Sequence, residues 1–345
     1  MEVINGVLFH AVGASSAALC YTPQKKVNGW SWQTYWLAQA LVCWLVLPVV
    51  VAIITIPQLQ QVLEEAPASA MWHSFLLGMA YGIGGTAFGI AIRFVGFSLT
   101  YAIAVGISCV LGTLLPPLVN GTLHEVLQGR GAAYISSGVM LGAVGIAVCG
   151  MAGRQKEKDL EQQQQRATGF SLAKGLPLCL LAGILSALYG FSIDQGQPVA
   201  AIAEKYGAGN FQVNAVYLFS NTGAFVTTLL YCLYLHAKEK TWAEYSISAN
   251  PVLGVNYLMA MLTGVLWYGQ FFFYGLGHVR MGTYKFSSWA IHMILLVLLS
   301  TVTGIAMKEW KTCSQRTRQL LAAALFILVT AVLLLTYGNY TGGSA

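Results

Sequence analysis

The sequence predicts an all-α integral membrane protein with ten transmembrane helices arranged as two inverted five-helix repeats. Three observations carry that expectation. Of 345 residues, 57% are hydrophobic and only 9% charged, against about a quarter charged in an ordinary soluble domain. Uncharged apolar runs of about 20 residues, enough to cross roughly 30 Å of hydrocarbon as a helix, recur along the whole chain. Lys and Arg fall unevenly between alternate loops, and short motifs of the first half return in the second. Hydrocarbon offers the backbone no water partners, so such long runs read as helices and not as the short alternating strands of a barrel.

The first run, Val3 to Thr22, reads as a span and not as a cleavable signal, since it lacks a basic leader and a small-residue cleavage site. It carries His10 on a face with Gly13, Ala14 and Ala17. Gln33 to Ile56, Met71 to Ile92, Leu99 to Val119 and Ala132 to Ala152 follow, completing a first repeat over residues 1–153. Residues 154–174 form a polar connector containing "RQKEKDLEQQQQR", Arg154 to Arg166. The second repeat, residues 175–345, holds Gly175 to Ile193, Phe211 to Leu235, Leu253 to Gly277, Phe286 to Met307 and Gln319 to Gly338.

The first, third, fifth, seventh and ninth loops contain 14 of the 18 basic residues; the others have only Arg130, Lys205, Arg280 and Lys285. Basic loops face the cytoplasm, which puts the connector inside and both termini in the periplasm. Five-span halves joined by a cytoplasmic connector insert with opposite topology. Their kinship shows in "GASSA", Gly13 to Ala17, against "GILSA", Gly183 to Ala187, and in "FGIAIRFVG", Phe88 to Gly96, against "YGLGHVRMG", Tyr274 to Gly282. Inverted repeats imply alternating access around a central site.

Candidate site residues come from helical faces. In the sixth span Gly183, Ala187, Gly190 and Asp194 share one face, and small residues on a face admit a neighbouring helix. Asp194 at its end is either a group opening onto protein or a headgroup-level helix end. Lys285, Ser288, Trp289 and His292 share a face of the ninth span. His10 and His292 are expected in one outer vestibule, as satisfied core residues or a proton relay, while His73, His124 and His236 read as surface histidines. Trp267, Gln270, Phe271, Tyr274 and His278 line one face of the eighth span, within "GVLWYGQFFFYGLGHVR". Aromatic planes pack on the apolar faces of a sugar and an amide serves adjacent hydroxyls. An aromatic belt would explain the rings but not Gln270 among them. Phe272 and Phe273 point elsewhere.

Other classes find little support. There is no H-E-x-x-H, P-loop or G-x-S-x-G motif and no metal-type cluster, so neither enzyme nor cofactor is expected. The seven cysteines show no ligand spacing and read as small residues of the spans. The expected partners are a monosaccharide, a proton and the lipid bilayer, with no nucleic acid, in a monomer or weak dimer. An exporter of metabolites or drugs is the alternative; it would want an acid central in the bundle.

"LWYGQFFFYGLGH", Leu266 to His278, with "GWSWQTYW", Gly29 to Trp36, "FHAVGASSAALCYTPQKKV", Phe9 to Val27, "SSWAIHM", Ser287 to Met293, and "KEW", Lys308 to Trp310, resembles the L-rhamnose–proton symporter family of the drug/metabolite transporter superfamily. The resemblance covers most of the chain. It implies ten helices in two inverted repeats and proton-driven uptake of a deoxyhexose across the bacterial inner membrane. From the shared faces, sugar contacts are expected at Trp267, Gln270, Tyr274, Trp289 and His10, and coupling or gating at Asp194, Lys285 and His292. The chain departs from the family pattern at "GIGGTAFG", Gly82 to Gly89, at Thr283 to Phe286, and at Asp194, where the family has an amide. An acid on one helix and a base on another imply an Asp194–Lys285 pair, with Asp194 the first choice for the proton carrier and His10 or His292 next.

Overall fold

The computed structural model describes residues 2–20, 22–162, 171–246, 252–308 and 310–342, and among them there are helices and turns but no strand. The helices are α1 (Glu2–Leu19), α2 (Trp32–Ala40), α3 (Leu47–Thr55), α4 (Leu59–Glu65), α5 (Ala68–Val119), α6 (Leu123–Gln128), α7 (Ala132–Gln162), α8 (Leu172–Gln195), α9 (Gln197–Lys205), α10 (Val213–Glu239), α11 (Leu253–His278), α12 (Ser288–Ala306) and α13 (Gln315–Gly342). A π-helical stretch, Leu41–Val46, joins α2 to α3. The middle of the polar connector, Glu309 of the "KEW" motif and Ala345 lie outside the described residues.

Nine helical segments among the described residues are long and apolar enough to cross a membrane. They coincide with nine of the expected spans. Where the eighth is expected, α11 has 26 residues, about 39 Å at 1.5 Å per residue. Trp267, Tyr268, Gln270 and Tyr274 dilute its apolarity.

The expected turn between the third and fourth spans carries no break in helical hydrogen bonding, since α5 runs for 52 residues. Yet the rings of Phe88 and Tyr101 are 5.1 Å apart, whereas 13 residues of straight helix advance about 20 Å. Ala87 and Ala104 likewise meet in one cluster with Ala182. The segment therefore doubles back, and two spans result, Ala68–Ile92 and Thr100–Val119.

The chain forms two compact units, each drawing on both halves of the sequence. Unit 1 comprises Met1–Ala18, Gly84–Phe191 and Leu276–Ala345. Its longest contact is between α7 and α13. Gly131, Gly138 and Gly145 recur every seven residues, and added methyls there would fall 2.4 Å from Gly338 O, 2.7 Å from Leu335 Cγ and 2.8 Å from Leu328 Cδ2. The missing side chains are the holes that receive the leucines, giving van der Waals contact where lipid supplies no hydrophobic drive. Asp159, near the end of α7, fixes the start of α13. Its Oδ2 accepts from Ser314 N–H at 2.8 Å and from Thr317 Oγ1 at 2.7 Å, placing negative charge where a helix N-terminus favours it. On α8, Gly183 lies against Ile107 and Ala104 O, and Gly190 against Trp289; the small-residue face of the sixth span is packed, as its spacing implies.

Unit 2 comprises Leu19–Ile83 and Ser192–Gly275. Here α5 meets α10 almost backbone to backbone. A methyl on Gly78 would fall 2.0 Å from Ser220 O, and one on Gly223 2.1 Å from Phe75 O. On α11, one on Gly264 would fall 2.7 Å from Val42 Cβ and 2.9 Å from Gln39 O. The expectation of a surface His236 is corrected here. The residue is the last-turn histidine of α10 and is fully buried. The chain turns back over it through Trp242–Tyr245, so its ring pairs with Thr241 Oγ1 at 2.7 Å and Tyr245 Oη at 3.1 Å and stacks on Trp242. Glu244 of the same turn accepts from Ser31 N–H at 2.7 Å, tying it to the start of α2.

Candidate functional site

The unusual chemistry of unit 2 begins with Pro48 at the start of α3. Proline lacks an N–H, and its ring clashes with the carbonyl four residues back, here that of Trp44. The backbone answers by widening: Leu47 N–H donates to Val42 O, five residues earlier. Such π-turns are frequent at functional sites. This one carries Cys43 and Trp44, both fully buried.

Around it three indoles meet edge to face. Trp36 and Trp267 are 5.5 Å apart, Trp44 and Trp267 5.7 Å, and Trp36 and Trp44 6.4 Å. Tyr81 adds a ring 6.0 Å from Trp44, and Phe271 lies 6.3 Å from Tyr81. Gly264 lets α11 close on α2 at the Gln39 carbonyl, and Gln39 stands three residues on from Trp36, on the same helical face.

Within the cluster several polar atoms lack the partners that burial demands. Gln39 is 1% exposed, yet neither its amide nitrogen nor its oxygen has a hydrogen-bond partner among the described residues. The same holds for the indole nitrogens of Trp36 and Trp44, the Tyr268 hydroxyl and, on α10, Thr228 Oγ1. Each such group costs about 1 to 3 kcal/mol if left unmade, and buried polar groups in folded proteins are nearly always paired. By contrast, Tyr35 Oη and Thr263 Oγ1 are 2.5 Å apart, and Thr263 donates to Cys20 O at 2.8 Å. Gln39, Trp36, Trp44 and Tyr268 therefore present unused donors and acceptors on the helices that carry these flat apolar rings.

Of the residues singled out from sequence, Trp267 belongs to this cluster. Gln270 is half-buried on the next turn of α11, and Tyr274 is buried beyond it, within electrostatic reach of Asp194. Asp194 is itself half-buried and accepts from the Gln195 amide at 3.4 Å. Phe272, on the other face, lies 6.0 Å from Phe211.

Unit 1 holds the rest. His10 and His292 come together, ring centroids 5.7 Å apart, at 0% and 1% exposure. His278 lies within electrostatic reach of His10. Trp289 is committed to packing: its indole N–H donates to Ser108 O at 2.9 Å, and its ring fills the space left by Gly112 and Gly190. Lys285 is exposed. Asp194 belongs to one unit and Lys285 to the other, so their pairing stands as a proposal. Among the described residues no three His, Cys, Asp or Glu side chains are placed to hold a metal ion.

Gln39, Trp36, Trp44, Tyr81, Tyr268 and Thr228 were not singled out by the sequence. The signal existed for the second span. "WQTYWLAQALVCW", Trp32 to Trp44, places glutamines among aromatic rings with no Asp, Glu, Lys, Arg or His among them, the same pattern that drew attention to Gln270.

Apolar membrane-spanning helices that bury polar side chains among aromatic rings fit a membrane transport protein. The chain belongs to the L-rhamnose-proton symport family: the family described as "L-rhamnose-proton symport protein (RhaT)" matches residues 1–340. It is 35% identical over 344 residues to the L-rhamnose-proton symporter of Cronobacter sakazakii, an alignment covering 98% of this chain and 99% of that relative. It is 34% identical over 334 residues to the L-rhamnose-proton symporters of Yersinia pestis and Yersinia pseudotuberculosis, covering 95% of this chain and 96% of each. The family is one of transporters and not of enzymes.

Proposed function

We propose that this protein takes up L-rhamnose, or a closely related monosaccharide, together with a proton across the bacterial inner membrane. The observation that carries the sugar reading is the cluster of unit 2. A sugar needs flat apolar surfaces for its C–H faces and fixed donors and acceptors for its hydroxyls. Trp36, Trp44 and Trp267 supply the first, while Gln39 and Tyr268 hold unused examples of the second. Gln270 and Tyr274 extend the same face of α11. The relatives' names supply the particular sugar and the coupling ion.

Alternating access by two inverted repeats of five spans, with α11 as the eighth, completes the reading. The offset that aligns Phe88 with Tyr274 also aligns Gly78 with Gly264 and Ala91 with Gly277. Gly78 is the close approach of the third span to the seventh, and Gly264 that of the eighth to the second. Ala91 packs on Cys179 of the sixth span, and Gly277 on His10 of the first. Corresponding residues make corresponding contacts, which supports common ancestry of the halves.

In proteoliposomes with an alkaline interior, labelled L-rhamnose is expected to accumulate above equilibration and to leak back when a protonophore collapses the gradient. Absence of gradient-dependent uptake, or movement only outward, would overturn the reading. The basic-residue bias further predicts that a reporter fused after Ala345 is periplasmic; cytoplasmic activity of that fusion would reverse the orientation.

A further inference from the structure

We infer that His10 and His292 together form the proton-carrying site of this symport, an inference that rests on the function proposed above. Half of the six histidines converge in unit 1 from three helices: His10 on α1, His278 at the end of α11 and His292 on α12. The two central rings are inclined at 66° with centroids 5.7 Å apart. The place of His10 against α11 is built into the backbone. Gly6 and Gly277 let α1 and α11 touch, and a methyl on Gly277 would fall 2.8 Å from His10 Nε2 and 2.8 Å from Gly6 O.

Imidazole is the side chain that exchanges a proton in the physiological range, and ionisable groups inside a bilayer mark ion and proton pathways. Two rings this close, away from water, do not both carry charge, because like charges in a weakly screening medium repel strongly. The pair therefore takes one proton per cycle. That is the stoichiometric unit that one sugar with one proton requires.

Groups from several elements surround the pair. From α11 comes His278, on which Lys285 acts in turn. Arg280 lies over the Phe9 ring at 4.7 Å and pairs with Glu2 at 3.6 Å. Along α12, Cys109 of α5 lies 4.0 Å from Ala290 O, and Tyr189 of α8 lies beside Trp289. From α13 comes Asn339, bonded to Ser287 and not titratable. In the cycle, a proton passes from water outside to an imidazole nitrogen of the pair as sugar binds. It leaves that nitrogen for water inside as sugar departs, and no bond of the sugar changes.

The test uses purified full-length protein in proteoliposomes and the variants His10→Gln, His292→Gln and Asp194→Asn, with two readouts. One is exchange of labelled for unlabelled L-rhamnose at equal pH, which needs sugar binding and access but no net proton movement. The other is alkalinisation of the outer medium when L-rhamnose is added. We expect both histidine variants to keep exchange within about two-fold of wild type while alkalinisation falls at least about ten-fold, and Asp194→Asn to move protons in proportion to whatever exchange it retains. Normal alkalinisation in either histidine variant overturns the pair, and loss of it in Asp194→Asn alone moves the proton to that carboxylate. Wild-type protein that exchanges L-rhamnose without moving protons overturns the symport reading itself. Should a glutamine variant not fold, the asparagine variant takes its place. Histidine 15N resonances of the unmutated protein give a mutation-free check: two that titrate jointly and shift on adding L-rhamnose are expected, and two independent, sugar-insensitive titrations overturn the proposal.

Discussion

Gln39→Leu is expected to raise the thermal stability of the sugar-free protein while weakening L-rhamnose binding by about 5- to 150-fold. The two signs come from one cause. An amide buried at 1% exposure without a partner among the described residues costs the fold about 1 to 3 kcal/mol, and a leucine of similar length removes that cost. The same amide, paired with sugar hydroxyls in the complex, is what leucine cannot replace, and about 1.4 kcal/mol is tenfold in affinity. Tyr35→Phe is the control. Its hydroxyl is already paired with Thr263, so its loss should lower stability by about 1 kcal/mol and leave binding alone. Thermal denaturation of purified protein with and without L-rhamnose reads both quantities, since a ligand of the native state raises its apparent stability. A destabilised Gln39→Leu that binds sugar as wild type does would return Gln39 to ordinary packing.

Asp159→Ala is expected to be the more damaging change to the fold, lowering stability by about 2 to 4 kcal/mol. Its carboxylate accepts from Ser314 N–H, Thr317 Oγ1 and, at 3.3 Å, the Gln155 amide. Hydrogen bonds to a charged group contribute about 1.5 to 3 kcal/mol each, and loss of a helix cap about 1. Asp159→Asn, which keeps one acceptor oxygen, should fall between alanine and wild type. Sugar affinity of the folded fraction should not change, because Asp159 belongs to unit 1 and the sugar cluster to unit 2. An unaltered denaturation midpoint in Asp159→Ala would show that the α7–α13 glycine seam alone sets the position of α13.

The spans were legible because length and apolarity are properties of the chain itself. The packed face of Gly183, Ala187 and Gly190 followed from spacing alone. The fold-back within α5 kept helical hydrogen bonding through the place where a loop was expected, and only the Phe88–Tyr101 contact reveals the reversal. The site was legible one helix at a time. Trp267, Gln270 and Tyr274 share a face by spacing, and His10 and His292 could be assigned to the same region by topology. What spacing cannot show is whether a buried polar atom finds a partner in another helix. Gln39 was overlooked because its importance lies in what does not surround it, whereas His236 was misjudged because Thr241 and Tyr245, which cover it, lie on a turn beyond its helix. His278 looked like the end of a sugar-facing stripe until α1 brought His10 to it.

The π-turn before Pro48 has a rotational consequence. At about 100° per residue, an unbroken α-helix would set Trp44 roughly 140° around the axis from Gln39, nearly on the opposite side. Hydrogen bonds that reach five residues instead of four make the chain between Leu41 and Val46 turn through a smaller angle, swinging Trp44 back toward the side that holds Trp36 and Gln39. The angular phase of the second span is thus set by an imino acid one turn beyond Trp44, so a single residue deleted from that turn would rotate half of the aromatic cluster out of alignment without altering any of its side chains.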